Sequence, residues 1–184
     1  MNFGEIKASH LAAVEFITAA TAVPVKRRFH TVLTSSAGYP LDKTYYQTVK
    51  GMVTPMDILE PGGTLIIASE CSEGFGSKEF RSSQQKLVEI GPERFLKMLE
   101  AKTFAEVDEW QTEMQLKPMR LGQVKLYTTG LSAEERSITG VEMVESVEQA
   151  VRESMEASGD PAVAVIPEGP YVVPIFASQA VSAD

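Results

Sequence analysis

TLIIAS, residues 64–69, is the stretch that decides the fold class of this sequence. It follows Pro61-Gly62-Gly63, which is typical of a turn, and it is apolar enough to be buried on both faces of a sheet. Strands of that kind are typical of parallel sheets that helices cover from two sides. We therefore predict that residues 64–69 form a strand inside such a sheet.

The rest of the chain alternates between short apolar segments and helical segments. Further strands are predicted at residues 29–35, 124–128 and 162–166, with an extended segment at residues 171–176. Helices are predicted over residues 8–20 with Ser9 as a cap, from Asp42 to about Leu59, after Gly91-Pro92, and after the pairs Thr103–Glu106, Ser132–Glu135 and Ser146–Gln149. This order predicts an α/β fold, a mainly parallel sheet with helices on both faces in a Rossmann-like three-layer architecture. We expect residues 1–176 to form a single domain and residues 177–184 a flexible tail.

The composition restricts the classes of function. The chain has 184 residues and a net charge of −8, which disfavours binding to nucleic acid or to an acidic membrane surface. No apolar run approaches the ~20 residues that span a bilayer, and the N-terminus lacks the pattern of a secretory signal. The single cysteine, Cys71, fits a reducing compartment, most simply the cytoplasm. With only His10 and His30 and no cysteine–histidine cluster, the sequence argues against a conventional zinc or iron site.

The helix that follows strand 29–35 carries a group of polar residues beside its apolar face. At 100° per residue, that apolar face contains Tyr45, Val49, Met52, Val53 and Met56. Tyr46, Gln47 and Lys50 occupy the neighbouring arc, at the edge of buried structure. An ammonium, an amide and a phenol near a helix N-terminus suit a small carboxylate that also carries a hydroxyl or a carbonyl. The alternative is a solvated surface lysine beside a core-edge tyrosine, which is the commoner situation in proteins.

A second candidate is the loop that directly follows residues 64–69. Its Gly74-x-Gly76 pattern is similar to a phosphate cradle, but position 79 is Glu where a dinucleotide-binding motif requires a third glycine. Glu70 could hydrogen-bond a hydroxyl group or could anchor the loop. Cys71 has no nearby histidine in the sequence, which argues against a nucleophilic role.

Several motifs together resemble the C-terminal domain of the nickel-pincer lactate racemase family. They are Ser36-Ala37-Gly38-Tyr39-Pro40-Leu41-Asp42, Tyr46-Gln47, Lys50-Gly51, Pro61-Gly62-Gly63-Thr64, Ala68-Ser69-Glu70-Cys71, Glu73-Gly74, Gly76, Trp110-Gln111, Ile166-Pro167, Gly169-Pro170 and Pro174. The resemblance runs from about His10 to about Phe176. Its most specific part is the block from Gly38 to Lys50, and the other motifs support it by their order.

This resemblance implies an isomerase that interconverts the enantiomers of a 2-hydroxy acid such as lactate. The family uses a nickel-pincer mononucleotide, a pyridinium cofactor that takes a hydride from the substrate and returns it to either face. The lysine that tethers this cofactor and the histidines that bind nickel or transfer protons belong to the N-terminal part of the family's chain. His10 and His30 lie outside that pattern. The resemblance therefore implies the C-terminal half of such an enzyme, with its N-terminal catalytic domain as partner, inactive alone and without a catalytic or metal-binding residue of its own.

The resemblance also implies local roles for particular residues. Lys50 would pair with the substrate carboxylate, Gln47 would hydrogen-bond the substrate, and Tyr46 would line the pocket. Trp110 would pack over the substrate or cofactor, unless it is an ordinary core tryptophan. Gly38, Tyr39 and Glu70 are possible members of a pocket loop.

Two other classes of function stay open. A stand-alone α/β module for a small molecule or a nucleotide would have a closed pocket centred on residues 70–78. A purely structural interface domain would bring no polar residues together.

Overall fold

Five parallel strands form the central sheet within residues 3–177, the part of the chain that the computed structural model describes. In chain order, the strands are β1 (Ala22–Val25), β2 (Phe29–Ser35), β3 (Leu59–Ala68), β4 (Gln123–Tyr127), β5 (Glu142–Met143), β6 (Val163–Ile166) and β7 (Val173–Phe176). The central sheet has the order β5-β4-β3-β2-β6, and β1 pairs with β7 in a separate parallel ribbon. The predicted α/β class and parallel sheet are confirmed. The predicted tail, residues 177–184, lies outside the described residues except for Ala177.

Helices connect the strands, as the alternation in the sequence predicts. The α-helices are α1 (Ile6–Thr21), α2 (Tyr45–Val53), α3 (Lys78–Ile90), α4 (Pro92–Glu100), α5 (Glu109–Leu121), α6 (Ala133–Ser137) and α7 (Val147–Ser158), and 3₁₀ turns cover Thr54–Ile58 and Gly169–Tyr171. The helix starts predicted at Ser132 and Ser146 are confirmed, since each serine accepts a hydrogen bond from the backbone amide three residues later. None of the helices within residues 3–177 is long and apolar enough to cross a lipid bilayer.

The two faces of the sheet are covered by different helices. The buried side chain of Val32 in β2 packs in the main hydrophobic cluster with Val49 and Met52 of α2. Its neighbour Thr31 is hydrogen-bonded through its hydroxyl to that of Ser154 in α7, at 2.7 Å. Because successive side chains of a strand point to opposite faces, α2 and α7 lie on opposite sides of the sheet. The predicted three-layer arrangement is therefore present.

The start of α2 differs from the prediction. Thr44, not Asp42, is the N-cap, and its hydroxyl accepts a hydrogen bond from the amide of Gln47. The carboxylate of Asp42 instead accepts from the backbone amide of Glu70, at 3.2 Å. Asp42, a residue type that often caps helices, thus connects the loop after β2 to the loop after β3. This contact forms only when tertiary packing brings the two loops together.

The end of α2 also comes earlier than the predicted Leu59. The α-helix stops at Val53 and continues as the 3₁₀ turn over Thr54–Ile58. Pro55 lies at the start of that turn and has no amide hydrogen with which to continue the α-helical hydrogen bonds.

The predicted turn at Pro61-Gly62-Gly63 lies inside a longer strand. β3 begins at Leu59, and its register with β2 shifts across this segment, which is therefore a bulge. A Cβ atom at Gly63 would lie 2.6 Å from the carbonyl oxygen of His30. Glycine is required there because the two backbones approach closely.

Smaller differences concern three other segments. Glu5, not Ser9, caps α1, and its carboxylate accepts hydrogen bonds from two amides of the first turn. Within the predicted extended segment 171–176, Tyr171 still belongs to a 3₁₀ turn and the strand begins at Val173. The short strands β1 and β5, and the pairing of β1 with β7, were not predicted, because β1 and β5 have neither the length nor the alternation that identifies a strand in a sequence.

Candidate functional site

The carboxyl edge of the sheet has a topological switch point beside β2. The chain passes from β2 to β3 on one side, and later places β6 on the other side of β2. Open parallel sheets usually bind ligands in the crevice where the strand order reverses in this way. The helix that leaves this point is α2, which carries Tyr46, Gln47 and Lys50.

The loop after β6 packs tightly on the end of β2 at this switch point. A Cβ atom at Gly169 would lie only 2.3 Å from the carbonyl oxygen of Ser35 and 2.5 Å from the hydroxyl oxygen of Thr34. The hydroxyl of Ser35 also donates a hydrogen bond to the carbonyl of Pro167. These contacts hold the two loops together next to the first residues of α2.

Lys50 presents its charge to solvent on α2. The residue is exposed, and among residues 3–177 its ammonium forms no salt bridge, which is also true of Lys7, Lys26, Lys78 and Lys97, whereas the other five lysines are paired with carboxylates. Its Nζ atom lies 5.7 Å from the centre of the Tyr46 ring, within the range of a cation–π contact. An uncompensated ammonium in a chain of net charge −8 is suited to an anionic ligand.

Tyr46 is held on several sides. Its ring meets Phe80 edge-on at 5.2 Å and Trp110 edge-on at 6.2 Å. Its hydroxyl donates a hydrogen bond to Asp108, at 3.4 Å. Burial, together with the negative charge of Asp108, raises the pKa of Tyr46, so its phenol stays protonated near neutral pH.

Trp110 lies at the surface and not in the core. Its side chain is 48% exposed, so the interpretation of Trp110 as a core tryptophan is wrong. Besides touching Tyr46, it borders an open cavity of about 400 Å³. The other residues that line this cavity are Leu96, Leu99, Glu100, Lys102, Thr103, Phe104, Ala105, Glu109 and Glu113.

Gln47 lies between these groups and the first turn of the helix. It is half-buried, and its backbone amide donates to the capping Thr44. Within residues 3–177 its side-chain amide makes no hydrogen bond to the protein, which leaves both its donor and its acceptor free. Since Lys50 follows three residues later, the two side chains are neighbours on one helix face.

The three predicted pocket-loop residues lie in two loops, Gly38 and Tyr39 in the loop after β2 and Glu70 in the loop after β3. Tyr39 is 79% exposed, and Gly38 has the left-handed backbone angle φ of +70°. The carboxylate of Glu70 accepts a hydrogen bond from the hydroxyl of Thr129 at 2.8 Å, and its carbonyl oxygen accepts one from Thr128. The sequence left two roles open for Glu70, a hydrogen bond to a hydroxyl group or an anchor of its loop. These contacts favour the anchor, because they connect the loops after β3 and β4.

The loop of residues 70–78 uses its backbone amides inside the protein. The amides of Cys71 and Glu73 donate to carbonyl oxygens of the loop before α2, and that of Gly74 donates back to Cys71. The carbonyl oxygens of Gly74 and Phe75 accept from the first two amides of α2. The three amides of the loop are therefore not available to a phosphate group, and the loop supports the start of α2.

Asp108 belongs to this arrangement and was missed in the sequence. The capping box predicted at Thr103 and Glu106 is wrong, because α5 begins at Glu109 and Asp108 is its N-cap residue. Asp108 has a left-handed backbone, and its carboxylate accepts hydrogen bonds from the hydroxyls of Ser77 at 2.6 Å and Tyr46 at 3.4 Å. The signal available in the sequence was an aspartate, a common N-cap residue, two positions before Trp110. The hydrogen-bond partners of Asp108 are distant in the sequence, so this signal did not reveal its contacts.

Gln111 completes the attachment of α5 to α2. Its side-chain amide donates to the carbonyl oxygen of Tyr46, at 2.6 Å. Tyr46 is therefore held at its hydroxyl by Asp108, at its ring by Trp110 and at its backbone by Gln111.

We expect Asp108→Gly to loosen Tyr46 and Trp110, because glycine keeps the left-handed backbone but removes the carboxylate. Asp108→Asn is the matched control, since its amide oxygen can still accept a hydrogen bond and asparagine tolerates this backbone. The glycine variant should lower the free energy of unfolding by about 1–2 kcal/mol and the fluorescence anisotropy of Trp110, the single tryptophan of the chain. If Trp110 has the same fluorescence anisotropy in the glycine and asparagine variants, the carboxylate of Asp108 does not hold Tyr46 and Trp110 in place.

Comparison with known proteins gives a consistent result. The model of the lactate racemase C-terminal domain family matches residues 25–174. The chain is 40% identical over 77 residues to a lactate racemase of Thermoanaerobacterium thermosaccharolyticum, covering 42% of this chain and 18% of that protein. It is 24% identical over 176 residues to a lactate racemase of Lactiplantibacillus plantarum, covering 92% of this chain and 40% of that protein. The chain thus spans less than half the length of these relatives.

Solved structures agree with the sequence matches. The lactate racemase apoprotein from Thermoanaerobacterium thermosaccharolyticum superposes with a TM-score of 0.81 at 25% identity, covering 93% of this chain and 41% of that one. A Thermotoga maritima protein superposes with a TM-score of 0.60 at 10% identity, covering 93% of this chain and 42% of that one, which shows a shared fold alone.

Proposed function

The chain belongs to the lactate racemase C-terminal domain family, and we propose that it is the substrate-binding part of a longer racemase of 2-hydroxy acids such as lactate. The observation that carries this proposal is the unpaired ammonium of Lys50 beside Tyr46 and Gln47 at the switch point of the sheet. An anionic substrate with a hydroxyl group next to its carboxylate suits these three side chains.

In the proposed recognition, four side chains contact different parts of the substrate. The ammonium of Lys50 binds the carboxylate, and the free amide of Gln47 hydrogen-bonds the carboxylate or the hydroxyl. The rings of Tyr46 and Trp110 give the site an apolar side that excludes water and strengthens the charge interaction. Because Lys50 stands on an open surface, we propose that the remaining part of the full-length protein, its N-terminal catalytic domain, closes the site.

The described residues do not fit nickel ligation. Within residues 3–177, no group of three or more His, Cys, Asp or Glu side chains could hold a metal ion. We therefore propose that the nickel-pincer mononucleotide of this family is held outside this chain, where it would supply reversible hydride transfer. The residues of this chain would bind and orient the substrate, and we propose that they do so in the cytoplasm.

We expect the 184-residue chain alone to be inactive, because the proposal places the residues that tether the cofactor outside it. In the test, the full-length protein and this chain are each given the cofactor and one enantiomer of lactate, and the other enantiomer is measured by chiral chromatography. Only the full-length protein should produce it. Turnover by the chain alone would contradict the division of roles, and no turnover by the loaded full-length protein would contradict the proposed substrate.

The alternative of a nucleotide-binding module is tested on the same chain. Trp110 fluorescence is recorded during titration with AMP and with lactate. We expect no saturable response to AMP, because the amides of residues 71, 73 and 74 are engaged within the protein. Tight AMP binding without any effect of lactate in the full-length protein would favour the alternative.

A further inference from the structure

α1 is a helix of sixteen residues, none of which is buried among residues 3–177. Large apolar side chains are exposed along its whole length. Their exposed fractions are 87% for Ile6, 55% for Leu11, 43% for Val14, 73% for Phe16 and 52% for Ile17. No neighbouring element of the described chain covers these side chains.

The apolar side chains of α1 surround the helix. At 100° per residue, Ile17 lies about 20° from Ile6, whereas Leu11 and Phe16 lie about 140° and 80° away on opposite sides of it. Lys7 and Glu15 are the only residues of the helix with a full charge at neutral pH. A helix that is apolar on nearly all sides is typical of the interior of a larger protein.

The C-terminal end of α1 is connected to the rest of the described chain through β1. The helix runs directly into β1, which pairs in parallel with β7 from Ala22 opposite Val173 onward. The end of β7 is tied to the 3₁₀ turn after α2, since the amide of Phe176 donates to the carboxylate of Asp57 at 2.8 Å. The guanidinium of Arg28 also lies 4.5 Å from the centre of the Phe176 ring. α1 therefore extends from an ordered ribbon.

The same helix region exists in a longer protein. The match to the lactate racemase apoprotein covers 93% of this chain, which is more than residues 22–184 make up, so it extends into α1. It covers only 41% of the other chain, so most of that protein lies outside the matched part. In such a longer protein, the helix region has a large neighbouring part of the chain that residues 3–177 do not contain.

We propose that α1 is a docking helix whose apolar surface is buried against the remaining part of the full-length protein. This rests on the proposed function, in which that part closes the site over Lys50. The partner surface should be apolar and nearly uncharged, because the helix offers few charges for pairing. A second copy of this chain is the competing occupant.

Hydrogen exchange tests the proposal. Amides of α1 should exchange at least tenfold more slowly in the full-length protein than in the 184-residue chain. Amides of α7, which already packs on the sheet through Ala150 and Ser154, should exchange equally in both. In the full-length protein, Phe16→Asp should remove the protection of α1, whereas the neighbouring Glu15→Gln should leave it unchanged.

Each other outcome overturns a different claim. Equal exchange of α1 in both proteins would refute the docking. Protection that grows with the concentration of the 184-residue chain, together with a dimer in analytical ultracentrifugation, would identify a second copy as the occupant. Protected α1 in a full-length protein that does not racemise lactate would leave the docking in place and overturn the proposed function alone.

Discussion

Lys50→Met in the full-length protein is expected to raise the KM for lactate about 10- to 150-fold. Methionine is unbranched and one heavy atom shorter than lysine, so it keeps most of the apolar stem and the loss reports mainly on the charge. A charge-assisted hydrogen bond contributes on the order of 1.5–3 kcal/mol, which corresponds to this range of affinity. If the contact is equally strong in the ground state and the transition state, kcat changes much less than KM.

Lys117→Met is the matched control for this experiment. Lys117 lies on α5, and its ammonium is paired with Glu113 at 3.7 Å, so its loss removes a surface salt bridge of small effect. Initial rates over a range of lactate concentrations give KM and kcat for both variants. An unchanged KM in the Lys50 variant, or an equal rise in both, would refute the role of Lys50 in binding the carboxylate.

Gly169→Ala is expected to destabilise the domain strongly, because the new Cβ atom would collide with backbone. It would lie 2.3 Å from the carbonyl oxygen of Ser35 at the end of β2. That oxygen cannot rotate away as a side chain can, so the loop after β6 must separate from β2. Overpacking of this kind costs about 1–3 kcal/mol, and we expect the upper end, about 3 kcal/mol. For a chain of this size the midpoint of thermal unfolding should fall by about 6–12 °C.

Gly159→Ala serves as the comparison for this prediction. Gly159 has a φ of +70°, and no atom lies within 4 Å of the place that a Cβ atom would take, so alanine there meets strain of the backbone without a collision. Its effect should be near ~1 kcal/mol. Thermal unfolding followed by circular dichroism compares the two variants. If Gly169→Ala unfolds no earlier than Gly159→Ala, the close packing at the switch point does not contribute as argued.

The two predictions concern one part of the molecule for different reasons. Gly169 holds the loops that meet beside β2, and α2 begins from that junction with its first amides bound by the loop after β3. Lys50 lies on α2, which starts from this junction. A glycine far from Lys50 in the sequence can therefore affect substrate binding as well as stability, and the KM of Gly169→Ala measures that coupling.

The candidate site residues that the sequence predicts on α2 share a local signal. Tyr46, Gln47 and Lys50 lie on one helix, so the helical repeat alone places them beside the apolar face of Tyr45 and Val49. Trp110 was found through a motif, but its exposure could not be read from the sequence, since Val107 and Met114 at helical spacing also fit a core stripe. The role of Asp108 was hidden because Ser77 and Tyr46, its hydrogen-bond partners, are 31 and 62 residues away.

The sequence by itself determined the alternation of the strands β2, β3, β4 and β6 with helices, the parallel α/β class and the helix starts at Ser132 and Ser146. These depend on apolar runs and on contacts between residues three or four positions apart, which a linear pattern contains. Only the tertiary structure decided that Asp42 braces a loop instead of capping α2, and that α1 finds no partner among residues 3–177. The physical reason is that a polar group or an apolar face takes whichever partner folding brings near, and those partners come from distant parts of the chain.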